Sequence, residues 1–363
     1  MSYAFILSGG GTGGHIYPAI AIADALRVEF PSCSILFVGA NNKMEMVKVP
    51  QAGYAIEGLN ITGLDRKLSR RNLLLPFRFW RSIGRSHELL DMFKPDVVIG
   101  TGGFASAPLL YAASRRKIPF LLQEQNAYAG LVNKWLAPKA KVVCVAYENM
   151  QRYFKKTRIE ITGNPVRPTL MNVSASRTEA AKHFRLDPDQ KVLLLLGGSL
   201  GSARMNSWMV EQLKELTAKG FQVIWQCGLR YFETYEVYES ESVRVTSFIE
   251  RMDLVYALAD AIISRSGAGA VSELSIVGKP VLFIPSPNVA EDHQTKNALA
   301  LTERSAALLL RETEMNTESE SLIQQLVEEI NHPTGMGERL KQHARPNAAL
   351  EIVELIQEIL HEH

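Results

Sequence analysis

The chain has 363 residues, of which 46% are hydrophobic and 21% are charged, and its formal net charge is +2. This length predicts two domains, and the composition excludes a disordered or fibrous chain. The nearly balanced charge argues against a general nucleic-acid binder. Three widely spaced cysteines, without metal-ligand or CxxC spacing, predict buried, reduced thiols in a cytosolic protein.

The N-terminal sequence has no basic segment and no cleavage site, so no signal peptide is expected. No apolar run approaches the about 20 residues that are needed to span a bilayer. Any membrane contact is therefore expected to be peripheral.

Short apolar runs recur along the chain, each bounded by Gly, Pro or Asp. They lie at 4–7, 35–38, 97–99, 120–122 and 142–145, and then at 192–196, 222–225, 243–245, 261–263, 281–284 and 306–310. Unbroken runs of this kind are typical of parallel strands buried on both faces. Helix-like segments such as 18–29, 202–219 and 268–277 separate them, so the sequence predicts an α/β fold.

The segment 161–168 contains a glycine and two prolines and is typical of a linker. Each half of the chain opens alike, with an apolar strand, a glycine-rich turn and a helix. We therefore predict two Rossmann-like domains, at 1–164 and 165–346, with a cleft between them. The amphipathic segment 347–363 predicts a C-terminal helix that could pack on either domain, the N-terminal one included.

Four glycine-rich turns follow predicted strands, at 9–14, 100–103, 197–201 and 267–269. Such turns let backbone N–H groups approach a phosphate at a helix N-terminus, but tight turns also need glycine for steric reasons. For each turn, ligand contact and packing remain equal alternatives. Together the four turns favour a nucleotide site at the carboxyl edges of the sheets.

The type of nucleotide is narrowed by what the turns lack. The spacing Gly9-x-Gly11-x-x-Gly14 matches a dinucleotide site, but no acid ends the second strand at 37–42, and no turn ends in Gly-Lys-Ser/Thr. NAD and an ATPase phosphate loop are therefore disfavoured. Glu273, in the helix after 267–269, could hold both ribose hydroxyls of a mononucleotide. A first-turn acid favoured by the helix dipole is an equal alternative.

Five motifs occur in a fixed order: GGTGGH at 10–15, EQN at 124–126, GNPVR at 163–167, GGS at 197–199 and SGAGAVSE at 266–273. Together they resemble the MurG family of bacterial N-acetylglucosaminyltransferases over nearly the whole chain. The resemblance implies a GT-B architecture with UDP-N-acetylglucosamine (UDP-GlcNAc) as donor. It also implies lipid I, an undecaprenyl-diphosphate-linked muramoyl-pentapeptide, as acceptor and lipid II as product. No cofactor and no nucleic acid are implied.

The resemblance places the acceptor and the cytoplasmic face of the bacterial cell membrane on the side of the N-terminal domain, and the donor on the C-terminal domain. It also implies the role of each substrate-binding residue. Thr12, Gly13 and Gly14 would lie near the sugar and the diphosphate, and Asn126 and Gln294 would hold GlcNAc hydroxyls. Arg167 and Ser199 would contact the diphosphate, and Gly267 and Ala268 would form a donor-binding turn. Ile249 would meet uracil through its backbone, and Glu273 would bind the ribose.

The implied reaction inverts the anomeric carbon and needs a base for the acceptor hydroxyl and positive potential for the leaving diphosphate. Arg167 and the helix N-termini could supply that potential without a metal ion. The DxD string at 187–189 contains Pro and precedes a strand, so a turn is predicted there. His15 is the favoured base, because a free imidazole has a pKa of about 6.5. A role in orienting the loop is its alternative, and Glu124 is the second candidate base.

A basic amphipathic segment lies at 73–85. On a helical wheel Leu73, Phe77 and Trp80 share one face beside a stripe of Arg78, Arg81 and Arg85, and four more cations lie within 66–71. Such segments lie in bilayer interfaces, although the apolar face could instead pack in the core. Because the implied acceptor is a lipid, we predict membrane contact by Leu73, Phe77, Trp80, Arg78 and Arg81.

Three other functions remain alternatives. A UDP-GlcNAc 2-epimerase would share the two-domain architecture, but it needs neither the basic segment nor the GGTGGH motif. A transferase acting on another lipid would share most donor features. A nucleotide-sugar sensor would bind the donor without needing His15.

Overall fold

The computed structural model describes residues 2–63, 75–166, 175–198, 200–289 and 292–362. The chain divides into two compact units. Unit 1 contains Met1–Arg167 together with Arg345–His363, and unit 2 contains Pro168–Ala344. The chain thus leaves unit 1 once and returns to it for the last helix.

Unit 1 is built on seven strands: β1 (Ala4–Gly9), β2 (Ser34–Ala40), β3 (Ala55–Leu59), β4 (Val97–Gly102), β5 (Phe120–Glu124), β6 (Val142–Val145) and β7 (Ile159–Ile161). Its helices are α1 (Gly13–Glu29), α2 (Glu45–Gln51), α3 (Leu75–Phe93), α4 (Ala107–Arg115), α5 (Leu131–Leu136) and, at the end of the chain, α14 (Ala348–His361). All neighbouring strands pair in parallel, in the order β3-β2-β1-β4-β5-β6-β7.

Unit 2 is built on six strands: β8 (Val192–Leu196), β9 (Gln222–Gln226), β10 (Val243–Thr246), β11 (Ala261–Ser264), β12 (Val281–Phe283) and β13 (Leu308–Leu309). Its helices are α6 (Arg177–Phe184), α7 (Ala203–Ala218), α8 (Phe232–Tyr235), α9 (Met252–Leu258), α10 (Ala268–Val277), α11 (His293–Thr302), α12 (Met315–Asn331) and α13 (Met336–Lys341). These strands also pair in parallel, in the order β10-β9-β8-β11-β12-β13.

Most of the apolar runs are buried on both faces, as the sequence predicted, whereas Leu308 and Leu309 of the edge strand β13 are half-buried. In unit 1, Ile6 and Val98 face a core layer formed with α3 and α4, whereas Phe5 and Leu7 face a second layer formed with α1 and α14. This alternation follows from the two-residue period of a strand. The α/β class with two Rossmann-like sheets is therefore confirmed.

The cysteines and the helix lengths bear on two further predictions. All three cysteines are free thiols; Cys144 and Cys227 are buried as predicted, whereas Cys33 is only half-buried. Burial raises the pKa of each thiol above its usual value. Within the ranges that the structure describes, no helix has both the length and the apolarity needed to cross a bilayer.

The last helix is part of the core of unit 1, and this can be tested by truncating one side chain. Ile356 is fully buried, whereas Leu350 on the same helix is 52% exposed. Ile356→Ala is expected to lower the free energy of unfolding by about 2–5 kcal/mol, because it leaves a cavity. Leu350→Ala is the matched control and should change it by less than about 0.5 kcal/mol. Urea unfolding measures both, and equal effects would contradict the packing described for α14.

Candidate active site

All four glycine-rich turns lie where the strand order of a sheet reverses. In unit 1 the order reverses between β1 and β4, and in unit 2 between β8 and β11. Each of these four strands is followed by one of the predicted turns. At such a switch point the two turns leave in opposite directions, which opens a crevice at the carboxyl edge of the sheet. Each unit therefore carries its own candidate ligand site.

The glycines of these turns fall into two groups. A side chain at Gly9 would overlap the Thr101 hydroxyl, and one at Gly103 would overlap the Gly10 carbonyl, so these glycines are needed for the packing of the two turns in unit 1. A methyl group added at Gly14 would have the Thr12 hydroxyl as its nearest neighbour, at 3.6 Å, and one added at Gly269 would meet nothing within 4 Å. Ligand contact is therefore favoured as the role of Gly14 and Gly269, and packing as the role of Gly9 and Gly103.

The N-terminus of α1 lies in the first turn. Thr12 caps this helix in an extended conformation, and the first helical turn contains no acid. The N–H groups of Gly13 and Gly14 have no hydrogen-bond partner among the described residues. Because these groups carry the positive end of the helix dipole, they form a suitable site for an anionic or hydroxyl-rich ligand.

Glu45, which the sequence did not indicate, supports the turn after β1 through hydrogen bonds to its main chain. It is fully buried, and its carboxylate accepts hydrogen bonds from the N–H of Gly11 at 3.1 and 3.2 Å and from that of Ala40 at 3.1 Å. Side chains at Gly10 or Gly39 would overlap it. No local signal distinguishes this acid in the sequence, since its partners lie on two other segments.

His15 is the third residue of α1 and is half-buried. Its Nδ1 lies 2.9 Å from the Thr101 carbonyl oxygen and 2.8 Å from Oε1 of Gln125. The Thr101 hydroxyl in turn donates to the His15 carbonyl at 2.8 Å. Both ends of the residue are therefore fixed by β4 and by the segment after β5.

Glu124 has a geometry that suits loop support better than proton transfer. This buried carboxylate accepts hydrogen bonds from the N–H of Asn126 at 3.1 Å, the N–H of Gly130 at 2.9 Å and Nδ2 of Asn133 at 2.9 Å. These donors hold the loop that begins at Asn126, the residue expected to contact the sugar. The geometry thus favours His15 over Glu124 as the base.

In unit 2 the N-terminus of α10 lies beside Gln294. Gly267 caps this helix in an extended conformation, and Ala268 is its first residue. Oε1 of Gln294 accepts from the N–H of Ser286 at 2.8 Å, and its Nε2 lies 3.9 Å from where a side chain at Gly267 would begin. Three residues predicted for donor binding therefore lie together.

Glu273 lies too far along α10 to be explained as a first-turn acid that the helix dipole favours. It is the sixth residue of α10, and the first turn of this helix contains no acid. The alternative of a first-turn acid favoured by the dipole is therefore wrong. The ribose-binding prediction remains for Glu273.

Ile249 can offer uracil only one of its two backbone groups. Its N–H donates to Oε1 of Gln226 at 3.0 Å, and Nε2 of Gln226 donates to the Gly198 carbonyl at 3.2 Å. The predicted uracil contact is therefore narrowed to the carbonyl oxygen of Ile249. Gln226 links this segment to the turn after β8, a role that the sequence did not indicate.

Arg265 is a second residue that the sequence analysis left without a role. Its side chain forms an ion pair with Glu312, and both side chains are largely buried. It also donates to the Ser202 hydroxyl, which caps α7, and to the Ile284 carbonyl at 2.9 Å. Arg265 therefore ties the turn after β8 to that after β11.

Three of the predicted residues cannot be located, whereas the predicted turn at the DxD string can. Leu73, Arg167 and Ser199 lie outside the described residues. The DxD string forms a turn before β8, in which the Asp187 carboxylate accepts from the N–H of Asp189 at 2.9 Å. This confirms the predicted turn.

Two Rossmann-like units, each with glycine turns at its switch point, form the GT-B architecture of nucleotide-sugar glycosyltransferases. The sequence matches the glycosyltransferase family 28 N-terminal domain over residues 5–145 and the family 28 C-terminal domain over residues 192–359.

Full-length relatives agree with this match. A protein of Flavobacterium psychrophilum named UDP-N-acetylglucosamine–N-acetylmuramyl-(pentapeptide) pyrophosphoryl-undecaprenol N-acetylglucosamine transferase is 53% identical over 98% of this chain and 97% of its own. A protein of the same name from Christiangramia forsetii is 50% identical over the same shares. The crystal structure of Acinetobacter baumannii MurG is 29% identical, with a TM-score of 0.79 over 99% of this chain and 100% of that one. The chain belongs to glycosyltransferase family 28, and within it to these N-acetylglucosamine transferases.

The support that Glu45 gives the first turn generates a prediction. In Glu45→Gln an amide NH2 would replace one acceptor oxygen and face a buried N–H group of Gly11 or Ala40. The free energy of unfolding should fall by about 1–3 kcal/mol, because a buried donor loses its partner. Glu57→Gln is the control, since Glu57 forms an exposed ion pair with Arg85 and should change the value by less than about 1 kcal/mol. Urea unfolding distinguishes the two, and a silent Glu45 variant would contradict the proposed support.

Proposed function

We propose that this protein transfers N-acetylglucosamine from UDP-GlcNAc to the muramoyl 4-hydroxyl of lipid I, giving lipid II, with inversion at C1 and without a metal ion. The full-length identity of 53% to a transferase of this name carries the proposal. The geometry of the two switch points supports it. An epimerase on the same architecture is disfavoured by that identity.

The donor is assigned to unit 2. The N-terminus of α10, at Gly267 and Ala268, supplies positive potential for the diphosphate, and Gln294 beside it holds a sugar hydroxyl. Glu273 accepts the ribose hydroxyls, and the Ile249 carbonyl accepts from uracil. Arg167 and Ser199 are retained as diphosphate contacts on the resemblance alone.

The chemical step is assigned to His15. The acceptor hydroxyl gives its proton to the imidazole while its oxygen forms a bond to C1 of the sugar. The bond between C1 and the β-phosphate oxygen breaks, and its electron pair leaves with UDP. Thr12, Gly13 and Gly14 lie beside His15 at the start of α1, where their N–H groups stabilise negative charge. Asn126, held by Glu124, orients the sugar.

The membrane side is assigned to α3 and α5. Phe77 is 69% and Trp80 63% exposed, so the alternative that they pack in the core is wrong. Phe79 is half-buried against the core, and its ring lies 6.4 Å from that of Trp80 and 6.2 Å from that of the exposed Trp135. It thus links the exposed aromatic side chains of α3 to that of α5. We call Phe77, Phe79, Trp80 and Trp135 the aromatic patch.

Cations lie around this patch. Arg81 is exposed and Arg78 half-buried, whereas Arg85 is paired with Glu57 and Glu88 and contributes less positive charge. Lys139 lies 5.4 Å from the ring of Tyr111, which stacks on Trp135. Aromatic side chains edged by cations are suited to the headgroup region of an anionic leaflet. The patch would hold the enzyme at the cytoplasmic face of the membrane, where its lipid acceptor lies.

Transfer of labelled GlcNAc to a short-chain lipid I analogue, with EDTA present, tests the reaction. Wild type should form product. His15→Ala should lower kcat by about 10²–10⁴-fold while UDP binding is retained, because the base is lost. Glu273→Ala should weaken UDP-GlcNAc binding, because the ribose loses its acceptor. His332→Ala, at an exposed position of unit 2, is the histidine control and should be silent.

The same assay separates the alternatives. Conversion of UDP-GlcNAc to its 2-epimer without transfer would replace the proposal by the epimerase, and binding without turnover would replace it by the sensor. Loss of product in EDTA that Mg²⁺ restores would contradict metal independence.

Vesicle co-sedimentation tests the aromatic patch. Trp80→Ala with Trp135→Ala should weaken binding to vesicles of phosphatidylglycerol and phosphatidylethanolamine by at least about tenfold, because two interfacial anchors are lost. Val237→Ala is the control, since Val237 is an apolar residue of unit 2 that is at least as exposed as either tryptophan. Unchanged binding by the double variant would assign the patch to a contact other than the membrane.

A further inference from the structure

We propose that Gln125 is a positioning residue, which keeps the proton of the neutral His15 ring on Nδ1 and so leaves the lone pair on Nε2. This inference rests on the proposed role of His15 as base. Gln125 stands in the EQN motif between two residues with assigned roles, and it has none so far. The assignment follows from which groups near His15 can donate and which can only accept.

The first constraint acts at Nδ1 of His15. The Thr101 carbonyl oxygen, 2.9 Å away, can only accept a hydrogen bond, so Nδ1 must be the donor. Oε1 of Gln125, at 2.8 Å, is a second acceptor on the same nitrogen. In a neutral imidazole the other nitrogen then carries the lone pair.

The second constraint acts on the Gln125 amide, whose orientation decides whether His15 meets an oxygen or an NH2 group. Nε2 of Gln125 lies 2.6 Å from the Thr101 carbonyl oxygen and 3.1 Å from that of Gln123. Because both carbonyls can only accept, the amide nitrogen must face them and Oε1 must face His15. A flipped amide would set oxygen against two oxygens and NH2 against Nδ1–H.

The third constraint is rigidity. Gln125 is 2% exposed, and its main-chain carbonyl oxygen accepts a hydrogen bond from Nδ2 of Asn164 at 3.0 Å. Nε2 of Gln123 donates to Oδ1 of Asn164 at 2.9 Å, which closes a buried network of amides behind His15. Such a network, satisfied by main-chain groups, holds one arrangement of protons. Nε2 of His15 has no hydrogen-bond partner among the described residues, so it remains available to a substrate hydroxyl.

The consequence for catalysis is a base whose unprotonated nitrogen is fixed before substrate binds. A base must present its lone pair to the acceptor hydroxyl, and the other tautomer would present an N–H group that cannot take a proton. Two main-chain carbonyls fix the amide of Gln125, and Thr101 and that amide together fix the imidazole. The ordering is complete before substrate binds, so little reorganisation is left for the reaction.

The first test measures the tautomer directly. In protein labelled with ¹⁵N at histidine, the His15 signals are assigned by their loss in His15→Asn. At a pH where the ring is neutral, wild type should show a protonated Nδ1 and an unprotonated Nε2. A protonated Nε2 in wild type would overturn the proposal, whatever the variants do.

The second test uses a pair of variants. Gln125→Met and Gln125→Glu both lose the hydrogen bonds that the amide NH2 group donates to Thr101 and Gln123, but only Gln125→Glu keeps an acceptor for Nδ1. In Gln125→Met only the Thr101 carbonyl remains as an acceptor for Nδ1, and the ring loses one of its two anchors. The fraction of rings protonated at Nε2 should therefore rise, and kcat should fall by about tenfold to a hundredfold, with KM for UDP-GlcNAc changed by less than about twofold. Gln125→Glu should keep Nδ1 protonated and recover part of kcat. Equal kcat values and tautomers in both variants would overturn the proposal.

Two controls separate this inference from the function on which it rests. Gln222→Met removes an equally buried glutamine of unit 2, which exchanges two hydrogen bonds with Asp187, and kcat per folded molecule should not change. An equal loss in Gln222→Met would assign the effect of Gln125→Met to folding and overturn the positioning role. Full activity in His15→Ala with the expected wild-type tautomer would instead overturn the assignment of the base.

Discussion

A parallel sheet brings the carboxyl ends of all its strands to one edge, and each following helix starts there with unpaired N–H groups. Where the strand order reverses, the two adjacent turns diverge and leave this edge open. The first sheet reverses between β1 and β4 and the second between β8 and β11. The positions of His15, Gly267, Gln294 and Glu273 all follow from this constraint, because each lies on or beside an element that starts at such a turn.

The turns themselves are kept in shape by buried polar side chains. Glu45 holds the turn after β1, Glu124 the loop after β5, Gln226 the turn after β8, and Arg265 the two turns of the second switch point. Glu45 and Gln226 satisfy main-chain groups of glycine-rich turns, and Glu124 satisfies main-chain groups of the loop after β5, whereas Arg265 acts through the Ser202 hydroxyl. The residues expected to contact substrate are thus held by neighbouring polar side chains, which limits the reorganisation needed during reaction.

The sequence was sufficient for most strands, the parallel sheets and the four turns, because unbroken apolar runs and glycines are local signals. It missed β3 and β7, the two edge strands of the first sheet, because they are only partly buried and carry no unbroken apolar run. It was insufficient for Glu45 and Gln125, because their partners lie on segments far away in sequence, such as the turn at Gly11 and the strand end at Thr101. Arg85 shows the same limit, since helical periodicity placed it in a cationic stripe and only the fold pairs it with Glu57. Periodicity identified Phe77 and Trp80 but left their environment open.

The return of the chain to unit 1 has a consequence for its synthesis. Ile352 and Ile356 of α14 complete the core layer that contains Phe5 and Ile16. A ribosome makes Phe5 long before Ile356, so this layer stays incomplete until α14 has left the exit tunnel. Unit 2, at Pro168–Ala344, has all of its sequence available earlier and can fold while unit 1 still exposes apolar surface on α1. During synthesis, unit 1 is therefore the unit that exposes its apolar surface for longer.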